Sequence, residues 1–172
     1  MPMLAGVGLM VVCSSSLAAA MMMGGEEKED PIVPKTPVVP TLPSGQYVKL
    51  VQTSLTDVIN LAELEVFAKA GTTNLAAGKT VTSSAFHPAG PLPHLVDGNM
   101  TNFAHTMNEV ADTEDSMLID LGSVQEIEKI KITNRVDCCS ERAIGIKAVI
   151  LGADGTTVIK ETTAITTDAA TY

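Results

Sequence analysis

Tryptophan is absent from this chain, and only three phenylalanines and two tyrosines stand among its 172 residues. A ligand site built on indole stacking is thereby excluded, and any aromatic contact must use one of very few rings. Basic residues are also scarce, eleven against twenty acids, for a formal net charge of −9. Nucleic-acid binding needs clustered Lys and Arg to displace counterions, so nucleic acid is excluded as a partner. There are three cysteines, and the adjacent pair lacks the two-residue gap that lets thiolates grip one zinc. The three histidines, His87, His94 and His105, lie in loop-like segments with no nucleophile or paired acid beside them. General acid–base or covalent catalysis needs such partners, and the chain is read as a binding protein, not an enzyme.

The first 25 residues carry no charged side chain, and residues 4–23 form a 20-residue apolar or small-residue run, long enough to cross a bilayer as a helix. Ser14-Ser-Ser-Leu-Ala-Ala-Ala20 could serve as a signal-peptide cleavage region, but the basic n-region is missing, and an uncleaved membrane anchor is the expectation. After the acidic Glu26-Glu-Lys-Glu-Asp30, prolines recur at 31, 34, 37, 40 and 43. That is the period of polyproline II, whose rise of ~3.1 Å per residue makes this a semi-rigid strut of roughly 40 Å. A docking ligand for an aromatic-lined groove is the alternative use of such a run. From there on, short alternating runs such as Ile127-Glu-Lys-Ile-Lys-Ile132 are separated by Gly, Asn and Asp, and Asp154-Gly155 has the chemistry of a tight hairpin. The organisation expected is an anchor at 1–25, a linker at 26–45 and one all-β antiparallel sandwich at 46–172, large enough for a single core.

Arginine is the rarest charged residue, and both copies fall in Arg135-Val-Asp-Cys-Cys-Ser-Glu-Arg142; the other nine basic residues are lysines. Arginine offers five donors in a fixed fork that keeps its charge, so two of them oriented by Asp137 make a rigid array for hydroxyls or anions. If oxidised, Cys138 and Cys139 close a ring across one peptide bond and add a stiff apolar surface beside those donors. Reduced, buried cysteines are the other possibility. A flat apolar patch next to hydrogen-bond donors suits a sugar.

This octet resembles the F-type lectins (fucolectins), relatives of the discoidin and coagulation-factor C domains. In that family Arg-x-Asp, four residues and a second basic residue, preceded by a histidine, form the fucose site, and vicinal cysteines often lie between. The likeness spans residues 47–172: Asn74 to Val81 is similar to the opening strand, Leu95-Val-Asp-Gly-Asn99 to the calcium loop, and Met117-Leu-Ile-Asp-Leu-Gly122 to the strand leading into the site. Tyr47 to Gln52 and Asn60 to Phe67 resemble the family's last strands but come first here, implying a circular permutation that joins nearby termini. The resemblance implies a galactose-binding-like jelly roll. His105, Arg135 and Arg142 would donate to sugar oxygens, Asp137 would orient the arginines, and Cys138, Cys139 and Phe103 would pack on the sugar's apolar face. It also implies a structural Ca2+ held by Asp97, Asn99 and Glu63 with the carbonyls of His94 and Thr106, oxygens of the hard kind calcium takes; a simple Asx turn at Asp97-Gly-Asn99 is the alternative.

Two functions follow. One is a membrane-anchored lectin for fucosylated or similar glycans, with its head in an extracytoplasmic space. The other is a scaffold, since permuted fucolectin-like domains are similar to ones found in large DNA viruses: a minor capsid or membrane-tethering component of a virion, in contact with neighbouring proteins of the assembly.

Overall fold

The computed structural model describes residues 41–107 and 114–172, and the expected anchor and most of the polyproline linker fall outside them. Among the described residues no helix is long and apolar enough to cross a membrane. The described residues form seven strands: β1 (Ser44–Gln52), β2 (Asn60–Ala68), β3 (Thr80–Thr82), β4 (Ala104–His105), β5 (Ser116–Asn134), β6 (Ile146–Leu151) and β7 (Val158–Glu161). Their order in the sheet is β4-β2-β5-β1-β6-β7, with β3 paired to β5, and all the pairings are antiparallel. The expected all-β antiparallel architecture is the one observed, with β1 beginning at Ser44, two residues before the expected boundary.

β5 organises the sheet by changing partners along its length. Its first part, around Met117–Asp120, lies between β1 and β3, whereas Ile127–Asn134 runs beside β2. The change is made at 121–124, where four residues loop out opposite the single residue Gln46. Gly122 takes φ +87, a backbone state that L side chains rarely adopt, and its N–H is received by Asp120 Oδ1 at 2.8 Å. The two runs that the sequence shows as separate strands are thus one strand with a large bulge, which turns the sheet over itself.

Alternation decides which side chains meet inside. Val48 and Leu50 of β1, Met117 and Ile119 of β5, and Ile146, Ala148 and Ile150 of β6 share one cluster with Leu61, Leu64 and Val66 of β2. On the opposite face of β2 and β5 the cross-strand neighbours are Glu65 with Lys131, 2.5 Å apart, and Phe67 with Lys129, whose ammonium sits 4.7 Å from the ring centroid. The last eleven residues seal the open side. Thr162 and Ile165 hydrogen-bond alongside β6, and Ala170 and Tyr172 cross to bond with Asn134 and Ile132 of β5. The hairpin expected at Gly152–Gly155 joins β6 to β7, with Asp154 accepting from Thr156 N and Thr157 N at 2.9 and 2.8 Å.

Candidate functional site

The arginine octet begins where β5 ends. β2 lies between β4 and β5, and its first residues serve both: Asn60 pairs with His105, while Leu61 pairs with Ala104 on one side and Asn134 on the other. Adjacent strands are about 4.8 Å apart, so this arrangement brings His105 within two strand spacings of Arg135 despite 29 intervening residues.

Arg135 is held on several sides. Its Nε and Nη2 donate to the two oxygens of Asp137 at 2.5 and 2.8 Å, its Nη1 makes a long contact of 3.4 Å to Asn60 Oδ1, and its guanidinium lies 3.5 Å from the centroid of Phe103. Asp137 therefore orients Arg135, and the Arg135 guanidinium holds its carboxyl down at about 2 instead of 3.8. One face of the Phe103 ring carries Arg135. The Arg135 side chain retains 14% of its exposure.

Arg142 is carried by a single 3-10 turn, Ser140–Ala143, and its Nη1 lies 3.3 Å from His105 Nε2. The other ring nitrogen, Nδ1, faces the Thr106 carbonyl. Those partners assign the proton to Nδ1 and leave the Nε2 lone pair to accept from the arginine. Burial, reinforced by the charges of Arg142, His87 and Arg135, holds His105 below its ordinary 6.5. The Nε2 lone pair of neutral His105 is thus engaged by Arg142 and orients that cationic donor, where sequence alone suggests that the ring itself donates.

Cys138 and Cys139 are joined by a disulfide, Cys138 is exposed, and Cys139 takes the left-handed φ of +60 just before the 3-10 turn. Buried, reduced cysteines are not what this structure contains. Phe103, His105, Arg135, Asp137 and Arg142 are brought together, with the cysteine pair in the same loop.

Three buried amides underlie this loop and have no counterpart in the sequence reading. Gln52, at the end of β1, donates from Nε2 to the carbonyls of Arg142 and Ile144 at 3.0 and 3.1 Å. Asn134, at the end of β5, accepts from Arg135 N at 2.8 Å and donates to Ser140 O at 2.9 Å. Asn60 opens β2, and all three are fully buried. Polar residues at the ends of otherwise apolar strands are the available signal. Gly90 is another position legible only in three dimensions: a Cβ there would stand 2.5 Å from His105 Cβ and 2.9 Å from His105 N. We predict that Gly90→Ala costs about 1–3 kcal/mol in thermal or urea unfolding, because overpacking must displace β4.

The expected calcium residues are brought together in part. Glu63 is fully buried on β2, and its Oε2 accepts from Gly98 N at 3.1 Å, tying it to the Asp97-Gly-Asn99 loop. Asp97 Oδ1 and Oδ2 accept from Asn99 N and Asn102 Nδ2, and Asn99 Oδ1 accepts from Thr101, so these two carboxylate and amide groups make an Asx turn. His94 Nδ1 packs against the Phe103 carbonyl at 3.2 Å. The Thr106 carbonyl faces His105 Nδ1, and its hydroxyl is shared between Ile59 N at 2.8 Å and Asp115 at 2.5 Å. Among the described residues no three His, Cys, Asp or Glu side chains gather into a metal cluster. Glu63 Oε1, however, is buried without a partner, and burial together with Asp97 and Glu65 raises its carboxyl to about 7. An orphaned buried carboxylate oxygen whose group feels a second acid is a set that a hard cation would satisfy.

Residues 94–172 match the family model of the NedA-like, galactose-binding domain. The match covers less than half of the chain and supports a likeness to the galactose-binding superfamily, with which the all-β antiparallel fold is consistent. The match takes in β4 to β7 and the whole arginine octet, whereas β1, β2 and β3, integral to the same sheet, precede it. No curated protein and no solved structure matches the chain. A galactose-binding-like domain points to carbohydrate binding in general.

Proposed function

We propose that the domain is a lectin of the F-type, circularly permuted, which binds fucosylated or similar glycans without catalysing a reaction. The observation that carries this reading is the assembly of Arg142, His105 and the Asp137-oriented Arg135 around one loop that also bears the Cys138–Cys139 ring. A sugar oxygen would accept from the N–H groups of Arg142 that His105 Nε2 does not engage, and the remaining N–H groups of Arg135 would reach a neighbouring oxygen. The disulfide would pack on an apolar sugar edge. Ca2+ beside Glu63, Asp97 and Asn99 would supply charge neutralisation and hold the 97–102 loop, with no part in chemistry. Residues 4–23 would anchor the head in a membrane, displayed on an extracytoplasmic surface, where many weak copies act by avidity.

The largely covered side chain of Arg135 favours a second reading, in which the octet is a structural joint and the fold a scaffold in a virion, as a minor capsid or membrane-tethering part. A panel of immobilised fucosylated and galactosylated glycans separates the two. The lectin reading requires saturable binding at pH 7.5 that declines only below pH 6.5, because the depressed His105 pKa keeps the ring neutral down to lower pH. Absence of binding to every glycan by the folded, calcium-supplied protein would leave the scaffold.

A further inference from the structure

Asn60 is a fully buried polar residue in a strand whose next neighbours, Leu61, Ala62 and Leu64, are all core. Its Nδ2 is buried without a hydrogen-bond partner among the described residues. Leaving a buried donor unpaired costs about 1–3 kcal/mol, and an apolar side chain of similar size would avoid that cost. Stability therefore gives no reason for an amide at this position. The other end of the amide does have a use. Asn60 Oδ1 faces Arg135 Nη1 at 3.4 Å, and Asn60 sits directly opposite His105 in the β2–β4 ladder. From within the sheet it touches Arg135 and stands beside His105.

The guanidinium's five donors can be accounted for. Nε and one N–H of Nη2 go to Asp137, one N–H of Nη1 goes to Asn60, and two N–H groups remain. Phe103 fixes the plane, and Asp137 fixes rotation only from an exposed loop position. Asn60 is the contact that comes from the rigid sheet.

We propose that Asn60 is a positioning residue: it registers the Arg135 guanidinium against the sheet and so selects which two N–H donors face a ligand. This rests on the lectin reading only for the identity of the ligand; the registration of Arg135 is a property of the free protein.

The test uses the full chain with two substitutions. Asn60→Leu removes both the acceptor and the orphaned donor. The expected result is a melting temperature equal to or above that of the unmodified protein, a shifted or broadened Arg135 Nε–H resonance in 15N NMR, and L-fucose or D-galactose affinity reduced about fivefold, the loss of one long hydrogen bond to a charged group. Asn60→Asp keeps an acceptor but makes it a second carboxylate competing for the same guanidinium. Asp137 should then titrate above about 2, moving toward 3.8, as its share of Arg135 falls. An unchanged Arg135 resonance in Asn60→Leu with an unchanged Asp137 titration in Asn60→Asp overturns the proposal. If Asn60→Leu does not fold, the Asp137 titration alone decides. If the unmodified protein binds neither sugar, the lectin reading fails while both NMR readouts still decide the role of Asn60.

Discussion

Replacing Arg135 and Arg142 together by alanine is expected to weaken glycan binding by at least about a hundredfold, since each charged hydrogen bond contributes ~1.5–3 kcal/mol. Binding of that kind passes below detection for a weak monovalent sugar. The fold should survive, because neither arginine belongs to the hydrophobic cluster and both lie beyond the end of β5. The stability cost should be about 1 kcal/mol, mostly the lost stack of Arg135 on Phe103. The single variants should differ. Arg142→Ala removes the partner of His105 Nε2 and frees that ring from a neighbouring cation, so the His105 pKa should rise toward 6.5. Arg135→Ala releases Asp137, whose carboxyl should return toward 3.8. Equilibrium titration with L-fucose, combined with NMR titration of His105 and Asp137, measures all of these at once.

The second large effect concerns Glu63. Without a cation the folded protein holds a proton on this buried carboxyl up to about pH 7, whereas the unfolded chain releases it near 4.5. The folded-state pKa is raised, so this contribution to stability is fully present below pH 4.5 and is lost as pH rises through 7. The calcium-free protein should therefore melt lower at pH 8 than at pH 5.5. Calcium should reverse that order by neutralising the charge and engaging the orphaned Oε1, with an effect that fades below pH 7 as protons compete. Glu63→Gln should raise the calcium-free melting temperature at pH 8 by roughly 3–6 °C, corresponding to about 1 kcal/mol in a domain of this size, and should abolish the response to calcium. Scanning calorimetry at the two pH values, with calcium and with chelator, provides the measurement. An identical calcium response in Glu63→Gln would place the cation elsewhere or nowhere.

Much of the site was legible because its chemistry is local in sequence. Arg135, Asp137, the cysteine pair and Arg142 lie within eight residues, and a two-residue step lets Asp137 reach back to Arg135. His105 was legible only by resemblance, since its distance from the octet is bridged by β2 pairing on both sides, a long-range contact that no spacing rule encodes. The stack of Arg135 on Phe103 is illegible for a similar reason: an aromatic near a sugar site suggests packing on ligand, and the cation on one face of this ring comes from 32 residues away. The amides Gln52, Asn60 and Asn134 escaped because each sits at a strand end, where polar residues ordinarily mean a turn. Their burial becomes visible only when three strand ends converge beneath the loop. In the fold, the alternating runs identified the strands, yet 117–122 and 127–132 read as two elements because Gly122 looks like a stop, whereas β5 continues beyond the bulge.

The most direct test of the central claim is a 15N-edited NMR titration of the full chain, oxidised and with calcium, against L-fucose and D-galactose. The account predicts saturable shifts confined to Asn60, 103–106 and 134–144, and their disappearance in the double arginine variant. Shifts elsewhere on the sheet, or none at saturating concentrations of both sugars, would contradict it.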